Sequence, residues 1–269
     1  MNDAMIDALY KQAKEWVYEA GAMIKDSFSR KLDITYKSHQ ADLVTNMDKN
    51  IEKFFATLIH EHYPDHKIIG EEGYGDEVKK MDGTLWIIDP IDGTTNFVHQ
   101  QSNFAISIGI FVDGVGVIAF IYDVARDELF HCVKGQGIYL NDQKLPSLRT
   151  NVLAESVVAI NGTWLTPNPK IDHQSLIPIV RKSRGTRSYG TAALELAYVA
   201  CGRIDAYITM RLSPWDFAAG YILIGEAGGT ISTVSGESVN LLEKNSIFAS
   251  KKGLHEEILS IIYEGAKSE

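Results

Sequence analysis

The chain has few cysteines. Cys132 and Cys201 stand alone among 269 residues, too few for a disulfide framework, and each sits in an apolar pattern that reads as a packing position. Positive charge is also short, with 26 Lys and Arg against 35 Asp and Glu and a net charge of −9. That balance excludes a general nucleic-acid binder, which needs a basic footprint to release counterions. Long apolar runs are missing as well. The stretch 102–122 carries one charged residue, Asp113, but Asp113-Gly114 divides it into two short β-branched runs, the pattern of a hairpin and not of a membrane span. No basic segment leads into an apolar one at the N-terminus, so no secretory signal is expected. No internal repeat or low-complexity tract interrupts the chain. These absences predict a cytoplasmic protein with neither nucleic acid nor membrane as partner.

What is present suffices for a core: 45% of residues are hydrophobic and 23% charged, ordinary globular values. Ile6, Leu9, Ala13, Trp16, Val17, Ala20, Met23 and Ile24 fall at helical spacing, and residues 32–36 alternate like a strand. A second helix is expected from Thr45 or Asn46, ending before Pro64. Residues 85–88 form a wholly apolar strand of the kind buried on both faces, and 104–122 reads as the hairpin. Beyond residue 150 strands and helices alternate, with helices predicted over 172–182, 191–201, 215–227 and 253–264. The fold class is therefore α/β (α+β), as layered sandwiching, with halves 1–150 and 151–269.

Chemistry concentrates in Trp86-Ile-Ile-Asp89-Pro-Ile91-Asp92-Gly93-Thr94-Thr-Asn96. A buried strand ends in a carboxylate, Pro90 fixes the chain's direction, and a second carboxylate follows three residues on. Two converging carboxylates repel unless a cation lies between them, and all-oxygen ligands suit Mg²⁺ or Mn²⁺. Gly93-Thr94-Thr95 adds backbone N–H groups at the start of a helical turn, a cradle for phosphate. Carboxylates, metal and phosphate cradle together describe metal-assisted phosphoryl transfer. Taken singly, the same residues also read as a capped turn. Glu71-Glu72, at another strand end, reads alone as a solvated loop, and Asp216 as a dipole-favoured first-turn residue of an apolar helix. Combined with Asp89 and Asp92, they complete ligand sets for two or more divalent ions.

The segments Asp42-Leu-Val-Thr-Asn-Met-Asp48, Gly70-Glu71-Glu72, Asp89-Pro-Ile-Asp-Gly-Thr94-Thr-Asn-Phe97, Gly190-Thr-Ala192-Ala193, Gly202-Arg-Ile-Asp-Ala-Tyr207 and Trp215-Asp216 with Ala218-Ala-Gly220 and Glu226-Ala-Gly-Gly229 resemble those of the inositol monophosphatase family. That family lies within the lithium-sensitive, Mg²⁺-dependent sugar phosphatases, and the likeness covers nearly the whole chain in order. The resemblance implies a layered αβαβα sandwich, commonly a homodimer, acting on a small phosphorylated metabolite. It implies one Mg²⁺ on Glu71, Asp89 and the Ile91 carbonyl, a second on Asp89, Asp92 and Asp216, and a third reached by Glu71 through water. Thr94, paired with Asp48, would orient the attacking water, with Glu71 sharing in catalysis. The phosphate would lie on the Gly93 and Thr94 amides, with Asp92, Ala192 and Asp216 among the substrate contacts.

One departure bears on substrate. Inositol-preferring members carry an acid where this chain has Thr209, with Arg211 two residues on and Arg187 in a basic stretch before Gly190. These basic groups read either as a solvated strand and helix end or as contacts to a second phosphate, as in fructose 1,6-bisphosphate or a nucleotide 2′- or 3′-phosphate. A non-catalytic binding relative is the rival from another class, opposed by the intact acids at 48, 71, 89, 92 and 216.

Other motifs fall away. His60, His62 and His66 look like a zinc cluster, but i and i+2 point to different sides of a helix and Pro64 breaks the run. Gly114-Val-Gly116-Val-Ile-Ala119 fits a dinucleotide fingerprint by letter but enters a β-branched run instead of a helix. Ser107 and Ser213 have no nucleophile elbow around them.

Overall fold

Apolar side chains at helical spacing build α1 (Asp3–Ser27), which buries Leu9, Ala13, Trp16, Val17, Ala20 and Ile24 on one stripe. The computed structural model describes residues 2–29, 34–36 and 43–265. A short antiparallel pair follows, β1 (Ile34–Tyr36) and β2 (Leu43–Thr45). The expected strand over 32–36 is described only at 34–36, and Asp42 of the quoted motif also lies outside the described residues. α2 (Asn46–His62) is capped by Thr45 and stops ahead of Pro64.

The first large sheet is nearly all antiparallel. β3 (Lys67–Gly70) and β4 (Thr84–Asp92) pair in parallel. After the short helix α3 (Thr94–Gln100) come β5 (Ala105–Val112), β6 (Val115–Asp123), β7 (Glu128–Val133), β8 (Ile138–Leu140) and β9 (Gln143–Lys144), giving seven strands in chain order. Asp113 and Gly114 take positive φ at the β5–β6 turn, as the hairpin reading requires.

The second sheet mixes directions. β10 (Val157–Ile160), α4 (Ile177–Lys182), β11 (Gly185–Arg187), α5 (Ala192–Ala200), β12 (Ala206–Leu212), α6 (Pro214–Glu226), β13 (Thr230–Ser232), β14 (Asn245–Ser250) and α7 (Leu254–Gly265) supply strand order β11-β10-β12-β14-β13. β10 runs parallel to β11 and β12, while β14 is antiparallel to both its neighbours. The helix expected over 172–182 divides: His173–Leu176 is a 3-10 turn and α4 begins beyond it. Pro178 accounts for the division, since it cannot donate within a continuous helix but is favoured in a first turn.

Alternation along the strands sorts the molecule into layers. In β4, Trp86 and Ile88 face a core shared with α1 and α2, whereas Leu85 and Ile87 face a second core shared with α5 and α6. The opposite side of α5 and α6 meets Ala159, Tyr207, Ile247 and Ala249 of the five-stranded sheet. The outer face of that sheet, with Val158, Ile208 and Phe248, is covered by α4 and α7. The order helix, sheet, helix, sheet, helix is the αβαβα sandwich. Every residue of α5 is buried, as a helix enclosed on all sides requires. Gly220 lets α6 approach it: a Cβ there would fall 2.5 Å from Leu196 Cδ1.

Candidate active site

A sheet irregularity aims the two carboxylates of β4. The β4–β5 ladder runs regularly to Asp89↔Ser107, shifts register, and resumes at Asp92↔Ala105. Residues three apart on a regular strand point to opposite faces, and one extra residue on one strand restores a common side. Pro90 sits within this bulge, where a missing N–H costs no ladder bond. Asp89 Oδ1 accepts from the Ile91 amide at 3.0 Å. The strand therefore extends through the motif instead of ending at Ile88.

α6 brings the third acid. Ser213 and Asp216 form a capping box, with Asp216 Oδ2 accepting from the Ser213 amide at 2.8 Å. Asp89, Asp92 and Asp216 each offer an oxygen within 4.8 Å of the other two. Glu71, one residue beyond β3, stands beside this group, and its charge raises the pKa of all three.

Among the described residues, no lysine or arginine forms an ion pair with the three aspartates. Burial is the main force on their protonation, pushing Asp89 well above the carboxylate range, with Glu71, Asp92 and Asp216 adding like charge. Asp216 is likewise held high by burial and then by Asp92. Asp92 is pushed up to about 6 by burial, against the pull of the Thr191 hydroxyl and the Ala193 amide. Those two groups donate to Asp92 Oδ2, the amide at 2.6 Å, and tie β4 to the start of α5. Crowded carboxylates without a cation are costly, and an oxygen-only set of this kind fits a hard divalent ion.

Beside the group lies a polar pair. Thr94 Oγ1 is 3.0 Å from Asp48 Oδ1 and 3.1 Å from the Ile91 carbonyl oxygen, so its single proton has two acceptors. Asp48 is held by Thr45, whose amide donates to Oδ2 at 2.8 Å and whose hydroxyl donates at 2.5 Å. Burial raises the Asp48 carboxyl, opposed by the Thr45 and Thr94 bonds. Asp48 and Asp216 thus each spend one oxygen on a helix cap, and Asp48 turns its other oxygen toward Thr94.

Gly93 takes φ 89° at the start of α3, where a Cβ would stand 3.1 Å from Thr191 Cβ and 3.4 Å from the Gly190 carbonyl oxygen. Ala192 opens α5 and is buried. Thr209 is 5% exposed and its hydroxyl accepts from the Trp164 indole at 3.2 Å. Arg187 and Arg211 are exposed; Arg187 donates to the Thr186 carbonyl, and neither makes an ion pair among the described residues. Of the three histidines, His60 lies 3.6 Å from Asp76, His62 bonds the Leu58 carbonyl and His66 accepts from the Trp86 indole. Sequence reasoning missed Thr191, Ala193 and Thr45 as supports of the acids. Thr45-x-x-Asp48 and Ser213-x-x-Asp216 are the visible signals, since that spacing marks a capping box.

Layered fold, acid cluster and Thr–Asp pair together define a phosphoric monoester hydrolase of the sugar-phosphatase type. The chain belongs to the inositol monophosphatase family, whose model matches residues 5–266. It is 56% identical over 246 residues to the inositol-1-monophosphatase of Bacillus subtilis (strain 168), covering 91% of this chain and 93% of that one. Inositol monophosphatase-II of Staphylococcus aureus has been solved bound to inositol monophosphate (42% identity, TM-score 0.87, 96% of this chain and 94% of that one). Its 2′AMP complex gives 44% identity and TM-score 0.88, covering 96% and 95%. An IMPase/NADP phosphatase complexed with Mg²⁺ and phosphate is 26% identical with TM-score 0.87, covering 96% and 95%. No helix among the described residues is long and apolar enough to cross a membrane.

Proposed function

We propose that the chain is a Mg²⁺-dependent phosphomonoesterase that hydrolyses a small polyol or sugar phosphate such as inositol 1-phosphate. The observation that carries this reading is the convergence of Asp89, Asp92 and Asp216, each offering an oxygen to one point, with the like charge of Glu71 beside them. In this reading Glu71, Asp89 and the Ile91 carbonyl hold one cation and Asp89, Asp92 and Asp216 a second, with Mn²⁺ as an alternative to Mg²⁺. When bound, the ions neutralise charge on the phosphate and lower the pKa of water. The remaining work belongs to the chain. With its proton given to Asp48, Thr94 Oγ1 turns a lone pair outward, accepts a hydrogen bond from water, and so aims that water's own lone pair at phosphorus. Asp48, fixed by Thr45, is the acceptor at the end of this relay. Gly93, without a side chain, leaves the first amides of α3 open to phosphate oxygens. Asp92, Ala192 and Asp216 border the leaving group.

Phosphate release from inositol 1-phosphate, with and without Mg²⁺, tests the reading. Turnover that requires the ion is expected; equal turnover in chelator contradicts it.

A second substrate class is supported by Thr209. Its hydroxyl is buried and accepts from the Trp164 indole, so where inositol-preferring relatives place an acid this chain offers a polyol only a neutral, nearly enclosed group. A nucleotide 2′-phosphate, as in the 2′AMP complex of the 44% identical staphylococcal relative, is the alternative, and Arg187 and Arg211 would suit further phosphate, as in a bisphosphate. Comparison of kcat/KM for inositol 1-phosphate, 2′-AMP, NADP⁺ and fructose 1,6-bisphosphate decides between the classes.

A further inference from the structure

One helical turn beyond Asp48, on the same face of α2, lies a second carboxylate that the proposed chemistry does not use. Glu52 is fully buried and reaches out of the helix to the loop after β3. Its Oε2 accepts from the Glu72 amide at 2.6 Å and its Oε1 from the Tyr74 amide at 2.8 Å. On the near side the loop backbone is pressed against the same group: a Cβ on Gly70 would stand 2.5 Å from the Glu52 carboxyl carbon and 2.6 and 2.7 Å from its oxygens. Glu71 is the residue between these two points of attachment. Further along, Asp76 accepts from the Ile68 amide at 2.9 Å and donates its own amide to the Ile68 carbonyl at 2.7 Å, closing the loop back onto β3.

Burying a carboxylate is costly unless donors compensate it, and the packing of α2 does not call for a charge here. Ile51, Phe55 and Ile59 fill that role. The acid at position 52 is explained by what it holds.

We propose that Glu52 is a positioning residue that fixes the Glu71 carboxylate beside Asp89, Asp92 and Asp216. One rigid helix then places two parts of the site, Asp48 setting the Thr94 hydroxyl and Glu52 setting Glu71. The inference rests on the reading of the acid cluster as a divalent-cation site. Groups that orient a ligand without touching the ion typically govern 10–100-fold in metal affinity. Glu52 touches neither substrate nor reacting atoms, so its loss weakens cation binding while turnover at saturating cation survives.

The test compares the parent protein with Glu52→Gln and Gly70→Ala. The second variant crowds the same carboxylate without changing charge and serves if the first folds poorly. Mg²⁺ affinity is measured by calorimetry without substrate, amide exchange over 70–76 in metal-free protein, and kcat at saturating Mg²⁺. About tenfold or greater loss of Mg²⁺ affinity, faster exchange at Glu72 and Tyr74, and a kcat restored by excess Mg²⁺ are expected. Parental affinity and exchange in both variants would overturn the role of Glu52 while leaving the cation site standing, as would a kcat that no Mg²⁺ concentration restores. A parent protein that takes up no Mg²⁺ would bring down the underlying reading and this inference with it.

Discussion

At the scale of single residues, Asp92 has the most to do. It closes the acid cluster and accepts from Thr191 and Ala193 of the opposing helix. Asp92→Asn keeps the size but halves the acceptor capacity and removes the charge, so kcat should fall by at least about a hundredfold, beyond what a merely supporting group governs. A folded variant with parental kcat would remove Asp92 from the reaction. Thr94 differs, because the proposed mechanism has it orient water and not gather charge. Thr94→Ala is expected to lower kcat by about 10²–10⁴ with little change in KM, as for loss of a proton-handling group; an effect confined to KM would refute the pairing with Asp48.

At the scale of elements, caps, bulges and buried histidines carry the information. His255, at the start of α7, stacks on Phe248 with ring centroids 4.1 Å apart and bridges the hydroxyls of Ser232 and Ser250 at 2.9 and 3.0 Å. Burial lowers its pKa to about 4. Below the ordinary value of 6.5 the unfolded chain binds a proton that the folded chain refuses. The stability His255 provides is therefore complete above about pH 6.5 and lost as pH falls toward 4. Replacing His255 by Asn should flatten that decline by about 1–2 kcal/mol, measured as the difference in denaturant midpoint between parent and variant across pH 4–7. Parallel curves would contradict it.

The same scale shows what the sequence could and could not reveal. Long amphipathic helices, the hairpin at Asp113-Gly114 and the apolar start of β4 were legible because period and turn chemistry are local. The run of β4 through Pro90 was not, since a bulge is defined by its partner strand. Nor was the break ahead of α4, although Pro178 supplied a local reason. Of the acid cluster, the identities were readable from the motif string. Convergence of Asp216 with Asp89 and Asp92 depends on α6 lying against β4 and β5, and the donors from Thr191 and Ala193 depend on α5 beside them. Such contacts arise only once the layers stack.

The whole molecule places its charge burden where the layers meet. The first sheet and its helices supply Asp48, Glu71, Asp89, Asp92 and Thr94, and the shared middle layer supplies Thr191, Ala193 and Asp216. Since burial raises Asp92 to about 6 and raises Asp89 and Asp216 as well, the metal-free fold takes up protons that the unfolded chain releases above about pH 4. Burial of these charges, with their mutual repulsion, therefore destabilises the metal-free fold increasingly as pH rises through 6. A bound cation relieves this at high pH but competes with protons at low pH. Mg²⁺ should raise Tm more at pH 8 than at pH 5, with about 2.7 kcal/mol gained at a hundredfold excess over Kd. Equal shifts at both pH values, by calorimetry, would show that the acids do not bind the ion.

Whether Asp89, Asp92 and Asp216 hold a divalent cation is tested by anomalous scattering from Mn²⁺-soaked crystals. A strong anomalous peak within coordination distance of oxygens from all three aspartates is expected, with loss of the peak in Asp92→Asn. Crystals that bind Mn²⁺ elsewhere, or show no peak among these carboxylates, would contradict the account.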